Sequence, residues 1–187
     1  MTDTPTPTPT PTGDDTQPPQ QATQGPASYD PRAVITDLPD DAEGINRVMY
    51  DRLVEQWRPV LAAFGERPIT ANFSIGSGGT GIPGSEARIT INLGQRPQSE
   101  WQPLEQKMID VAKAQGWSPI VGGIEGLNSV KNGYYLRGGC ASIDGCIWEI
   151  VSSIIDREGL EGIEWQGKVV PELLGPNTPS NPTSTTP

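Results

Sequence analysis

The chain holds two cysteines, Cys140 and Cys146, separated by Ala-Ser-Ile-Asp-Gly and flanked by Tyr134-Tyr-Leu-Arg-Gly-Gly139 and Ile147-Trp-Glu-Ile-Val-Ser-Ser153. If the two face each other across an antiparallel hairpin, every neighbouring pair follows. Gly138 then opposes Trp148, Leu136 opposes Ile150, and Tyr134 opposes Ser152, so one face is largely apolar. The other face sets Arg137 against Glu149 and Tyr135 against Val151, a charge pair and an aromatic–β-branched pair, both favourable across strands. A two-residue Asp144-Gly145 turn competes, because Asp-Gly is a strong hairpin signal; it would pair Ile143 with Cys146 and set Cys140 against Glu149. In the first register a disulfide closes a small ring worth about 2 kcal/mol on the chain-entropy view, and its larger meaning is an oxidising compartment. The bland alternative is two buried thiols in a cytosolic protein.

The ends of the chain narrow the folded part. Residues 1–28 are rich in Pro and Thr, with Pro5, Pro7, Pro9 and Pro11 alternating with Thr, and Pro176 to Pro187 form a second Pro/Thr/Ser/Asn tract. Proline fixes φ and removes a donor, and threonine offers too little apolar area to offset ordering. Both ends are therefore expected to be disordered, the first acting as a tether that in polyproline II form would reach about 85 Å. Residues 29–175 remain, enough for one domain with a real core and short for two.

Within that body, Asp40, Asp41 and Glu43 read as an N-cap and acidic first turn. Ile45, Val48, Met49, Leu53, Trp57, Val60, Leu61 and Phe64 then recur at helical spacing, with a kink or break expected near Gln56 to Arg58 because Pro59 sits inside. A second helix is expected from Ser99, burying Trp101, Leu104, Met108, Val111 and Ala112. Between them Ile69, Ala71, Phe73 and Ile75, then Ala87, Ile89, Ile91 and Leu93, alternate at period two and predict an antiparallel strand pair. The expected architecture is α+β, a two-layer sandwich whose antiparallel sheet is covered on one face by two helices.

Charge and motif exclude more than they suggest. With 13 Lys and Arg against 23 Asp and Glu the net charge is −10, which disfavours nucleic acid and anionic membrane. No stretch approaches a membrane span, and the first residues lack the basic and apolar regions of a signal peptide. Gly76, Gly78 and Gly81 match a dinucleotide loop's glycine spacing, but a strand pattern follows where a helix N-terminus is needed, so a hairpin loop is expected. The chain has no histidine; two cysteines alone supply half a metal shell, and no Cys-x-x-Cys is present. Serine and cysteine nucleophiles lack their usual base. No catalytic residue, metal or cofactor is expected. The candidate binding residues are Asp156, Glu158 and Glu161, with Glu164 beside them, as a weak cation site or solvated face, and Trp165 as the tryptophan most open to a ligand. Trp57, Trp101, Trp117 and Trp148 are expected mostly in the core.

The order of an amphipathic helix, a strand pair ending Ala87-Arg-Ile-Thr-Ile-Asn-Leu93, a helix from Ser99-Glu-Trp101 to Gly116-Trp117, and a cysteine hairpin resembles small actinobacterial cell-envelope lipoproteins of the LppA-like kind. The resemblance covers roughly Asp41 to Ser153 and is one of pattern, without a diagnostic motif; this sequence lacks the lipobox cysteine and apolar leader. It implies an extracytoplasmic α+β domain on a Pro/Thr-rich linker. The expected function is a non-catalytic, monomeric domain with a binding or structural role at the cell envelope, its partner unidentified. The alternatives are a carboxylate-dependent glycan hydrolase and a phage or secretion-apparatus accessory protein, and the alternative location is the cytoplasm. Limited proteolysis is expected to remove residues 1–28 within minutes while leaving the body intact, as read by mass spectrometry; equal resistance of both would contradict the tether.

Overall fold

A computed structural model describes residues 33–77, 85–120, 127–155 and 165–175. In chain order they form β1 (Val34–Ile35), α1 (Ala42–Phe64), β2 (Thr70–Ser77), β3 (Ser85–Asn92), α2 (Gln98–Ala114), β4 (Ser118–Pro119), β5 (Leu127–Lys131), β6 (Tyr134–Ala141), β7 (Gly145–Ile155), β8 (Trp165–Val169) and a 3-10 turn, Pro171–Leu173. The eight strands join one sheet in the order β4-β5-β6-β7-β3-β2-β8, with β1 against β7 as its one parallel pair. Two helices over a mainly antiparallel sheet make this the expected α+β sandwich.

Helix α1 begins where Asp41 accepts the amide of Gly44 at 2.7 Å, satisfying one orphan donor of the first turn. Its apolar stripe, Ile45, Met49, Leu53, Trp57, Val60, Leu61 and Phe64, is buried against the sheet. A kink or a break is expected at Gln56 to Arg58; the helix is continuous through Pro59, so the break does not form. Proline removes one hydrogen bond, whereas Trp57, Val60 and Leu61 on either side each bury a large side chain. The Trp57 indole also donates to the carbonyl of Ile89 at 3.1 Å, fastening helix to sheet. Helix α2 starts at Gln98, one residue before the expected Ser99, and has no side-chain cap; the Trp101 indole bonds the carbonyl of Arg96 just outside it. Met108 and Ala112 are its buried residues, while Trp101, Leu104 and Val111 pack at the core's edge.

The inner face of the sheet carries Ala71, Phe73, Ile75, Ala87, Ile89, Ile91, Leu136, Trp148 and Ile150, which form one cluster with both helices. Ile69 departs from its predicted place: it precedes β2 and is 52% exposed. Near its far end β7 bulges, setting Ser152 and Ser153 against Ala87. The Ser152 hydroxyl accepts the Ala87 amide at 3.0 Å and donates to the Ser153 carbonyl at 2.7 Å, satisfying groups the bulge takes out of the ladder. Beyond the bulge β7 outruns β6, and β1 fills that edge at Ile154 and Ile155. The segment leading from β1 to α1 is clamped by Arg52, which grips Asp37 at 2.8 Å and holds its carboxyl below the usual range. Both outer strands are poor templates for further pairing: β4 ends in Pro119, and β8 breaks register against β2 between Phe73 and Ile75.

Deleting the buried Leu53 side chain (Leu53→Ala) is expected to cost about 2–5 kcal/mol. Ile69→Ala, at the exposed position, is expected to stay within about 0.5 kcal/mol of the parent; urea denaturation of both variants checks the difference.

Candidate functional site

The β6–β7 ladder runs Tyr135–Val151, Leu136–Ile150, Arg137–Glu149, Gly138–Trp148, Gly139–Ile147, Cys140–Cys146 and Ala141–Gly145. This is the cysteine-paired register, and the Asp144-Gly145 two-residue turn is set aside by a three-residue connection, Ser142 to Asp144. The ladder stops one pair short of Tyr134–Ser152, where the bulge begins. Cys140 and Cys146 are joined as a disulfide, with Cα atoms 3.9 Å apart.

The backbone around the bridge shows why it sits there. Cys146 turns its amide to the carbonyl of Gly94 and its carbonyl to the amide of Leu93, both on the β3 side, at 3.0 and 2.9 Å. The cysteines are therefore a non-hydrogen-bonded pair, the kind in which facing side chains come closest. On the opposite edge the amide of Cys140 lies beyond the end of β5 and is taken by the Glu105 carboxylate of α2 at 2.8 Å. One bridge thus links a strand clamped by α2 to a strand clamped by β3. Just behind it the Trp148 ring lies against Gly138, whose φ of +150° and lack of a side chain permit the approach: an added Cβ would stand 2.2 Å from the Ile147 carbonyl oxygen and 2.6 Å from Trp148 Cα.

The tip is held from outside. Asn92 donates to the carbonyl of Asp144 at 3.0 Å, and Gln95 to that of Ile143 at 2.9 Å. Gly145, at φ +84°, lies so close to the Gly94 carbonyl that a Cβ would come within 2.8 Å. Ile143 itself projects outward, 83% exposed.

The outer face of the sheet carries a polar row. Tyr135 donates to Asn128, Arg137 to Glu149, and the Thr90 hydroxyl lies 3.4 Å from the other Glu149 oxygen. The Arg137 guanidinium stacks 5.6 Å from the Tyr135 ring centre, and burial pushes the Tyr135 hydroxyl above its ordinary pKa. Farther along, Arg88 stands 4.0 Å from the largely buried Glu86. At the edge of the helix layer, Tyr50 donates to Glu172 at 2.6 Å beneath Lys168; burial and then the Glu172 carboxylate raise its pKa.

The residues singled out in the sequence are distributed unevenly. Cys140 and Cys146 come together as expected. Asp156, Glu158, Glu161 and Glu164 lie outside the described residues, as do residues 78–84 of the glycine-rich connector. Trp165 opens β8 with its Cα opposite Ile75. Because Ser77 pairs with Ser85 and Ser85 with Ile155, the end of β2, the start of β3 and the end of β7 lie at one end of the sheet, opposite the hairpin. The connector leads directly into β3, so the helix N-terminus a phosphate loop requires does not follow it. Trp57, Trp117 and Trp148 are buried and offer no stacking platform; Trp101 is half-buried. Among the described residues no three Asp, Glu, His or Cys side chains are grouped to hold a metal ion. The Glu105–Cys140 and Asn128–Tyr135 contacts carried no local signal in the sequence; the first pair is 35 positions apart. No family model, curated protein or solved structure matches the chain.

Gly138→Ala is expected to lower stability by about 2 kcal/mol or more, since the new methyl meets backbone. Gly139→Ala meets chiefly the movable carboxylate of Glu105 at 3.0 Å and is expected to cost much less. Thermal melting of the two variants side by side makes the comparison.

Proposed function

We propose that this chain is a non-catalytic, extracytoplasmic domain with a binding or structural role at the cell envelope, carried on its Pro/Thr-rich first segment. The observation that carries the reading is the disulfide. Both cysteines are consumed in one bridge whose register also sorts the apolar face of the sheet, and such bridges persist where the surroundings oxidise thiols. No helix among the described residues is long and apolar enough to cross a membrane, which fits a domain held by a tether. The pattern-level resemblance to envelope lipoproteins points the same way.

The non-catalytic part of the reading rests on how the polar groups are used. Glu149 is engaged by Arg137 and Thr90, and Glu86 by Arg88, so the outer-face carboxylates serve side-chain pairing. A glycan hydrolase needs two carboxylates facing one bond across a cleft, about 5 to 10 Å apart; the described residues supply no observation that favours it. Intact cells of the native host treated with a membrane-impermeant amine reagent are expected to yield protein labelled at the exposed Lys107 and Lys168, with no free thiols when trapped in acid. Labelling only after lysis, or two free thiols, would remove the extracytoplasmic reading.

A further inference from the structure

We propose that the disulfide-closed tip is a docking peg: Ile143, with Ile69 at its flank, enters an apolar socket on a partner protein whose surrounding surface is basic. Single exposed apolar residues are ordinary, so the case rests on how this one is held. Ile143 is the most exposed of the large hydrophobic residues described, at 83%. The backbone beneath it is fixed from three directions: by the Cys140–Cys146 bridge, by the Asn92 and Gln95 side chains on two successive carbonyls, and by Cys146 pairing with Gly94. A side chain presented on a backbone that is already ordered gives up little further freedom on docking, which is how anchor residues gain affinity. A Cβ on Gly94 would stand 3.4 Å from the Ile69 side chain, and the next residue, Gln95, holds the Ile143 carbonyl, so the two exposed isoleucines border adjacent residues. Ser142 and Asp144, exposed beside the anchor, supply the polar rim of a protein–protein contact.

Charge selects among possible occupants. At net −10 a second copy of the chain is repelled, as is an anionic bilayer, while a basic protein is attracted and steered. Burial of one isoleucine falls far short of membrane anchoring but suits an interface anchor. Both outer strands resist strand addition, which leaves the tip as the better-built contact.

The peg rests on the reading of this domain as a binding module, and its test separates the two. A photoreactive phenylalanine analogue replaces Ile143, or Val34 at the opposite end, in the full chain in its native cells. The adduct is identified by mass spectrometry, and that protein is purified and titrated against the parent and Ile143→Asp. The expected result is a protein adduct from position 143 that is absent from position 34. Binding of the purified partner should weaken roughly tenfold or more in Ile143→Asp, and also weaken as salt rises, with the variant's melting temperature unchanged. A lipid adduct, an adduct with a second copy, no adduct at 143, or equal affinity for Ile143→Asp would each overturn the peg. Any of these alongside surface labelling of intact cells leaves the envelope reading standing, whereas labelling only after lysis removes that reading whatever the tip does.

Discussion

Strand β7 holds the sheet together, and its register against β6 decides what every other element can do. Side chains alternate across a strand, so a slip of one residue would send Trp148 and Ile150 to the outer face and bring Glu149 and Val151 inward. The pairing that prevents this is Cys140 with Cys146. With it in place, the inner face is apolar from Leu136 through Ile150 and Ile89 to Phe73, and the outer face carries Arg137, Glu149 and Thr90 in one row. The bridge is covalent, but it does not act alone. Glu105 from α2 and the Leu93–Gly94 segment each fix one side of it, so the register is stated three times by groups far apart in the chain.

The helices follow from that sorting. Helix α1 lays a continuous stripe from Ile45 to Phe64 across the inner face, and the Trp57 indole finds the Ile89 carbonyl there. Helix α2 buries less, Met108 and Ala112, and contributes through Glu105 as much as through packing. At two interruptions of the ladder side chains bond the backbone: Ser152 and Ser153 at the β7 bulge, Asn92 at the hairpin tip.

What could be read from the residues was what depends on local period and on one pair of cysteines. The α1 stripe apart from the half-buried Val48, the β2 and β3 alternation from Ala71 onward, and the β6–β7 register as far as Tyr135–Val151 stand as expected, because each signal lies within about twenty residues of itself. The elements that escaped are short or paired over long distances. Strands β1 and β4 have two residues each, too few for any period, and β8 is recognised only by its partner β2. Pro59 argued for a kink or a break, and packing keeps the helix unbroken. Ser99 was the expected start of α2, yet the helix has already begun at Gln98. Ile69 fitted the alternation of β2 but lies just before it and is half-exposed. The candidate site was half legible. The bridge and the Arg137–Glu149 pair were visible, whereas Glu105, Asn92 and Gln95 bond to backbone groups 35 to 52 positions away and leave no mark on local sequence.

The same register that organises the core also orients the hairpin tip, so the structural and functional readings meet at one set of strand pairs. Interstrand NMR contacts between α-protons test it most directly, because they are strong only between non-hydrogen-bonded partners. The account predicts strong contacts for Cys140 with Cys146, Gly138 with Trp148 and Leu136 with Ile150. A strong contact between Cys140 and Glu149, the pairing of a two-residue Asp144-Gly145 turn, would contradict it.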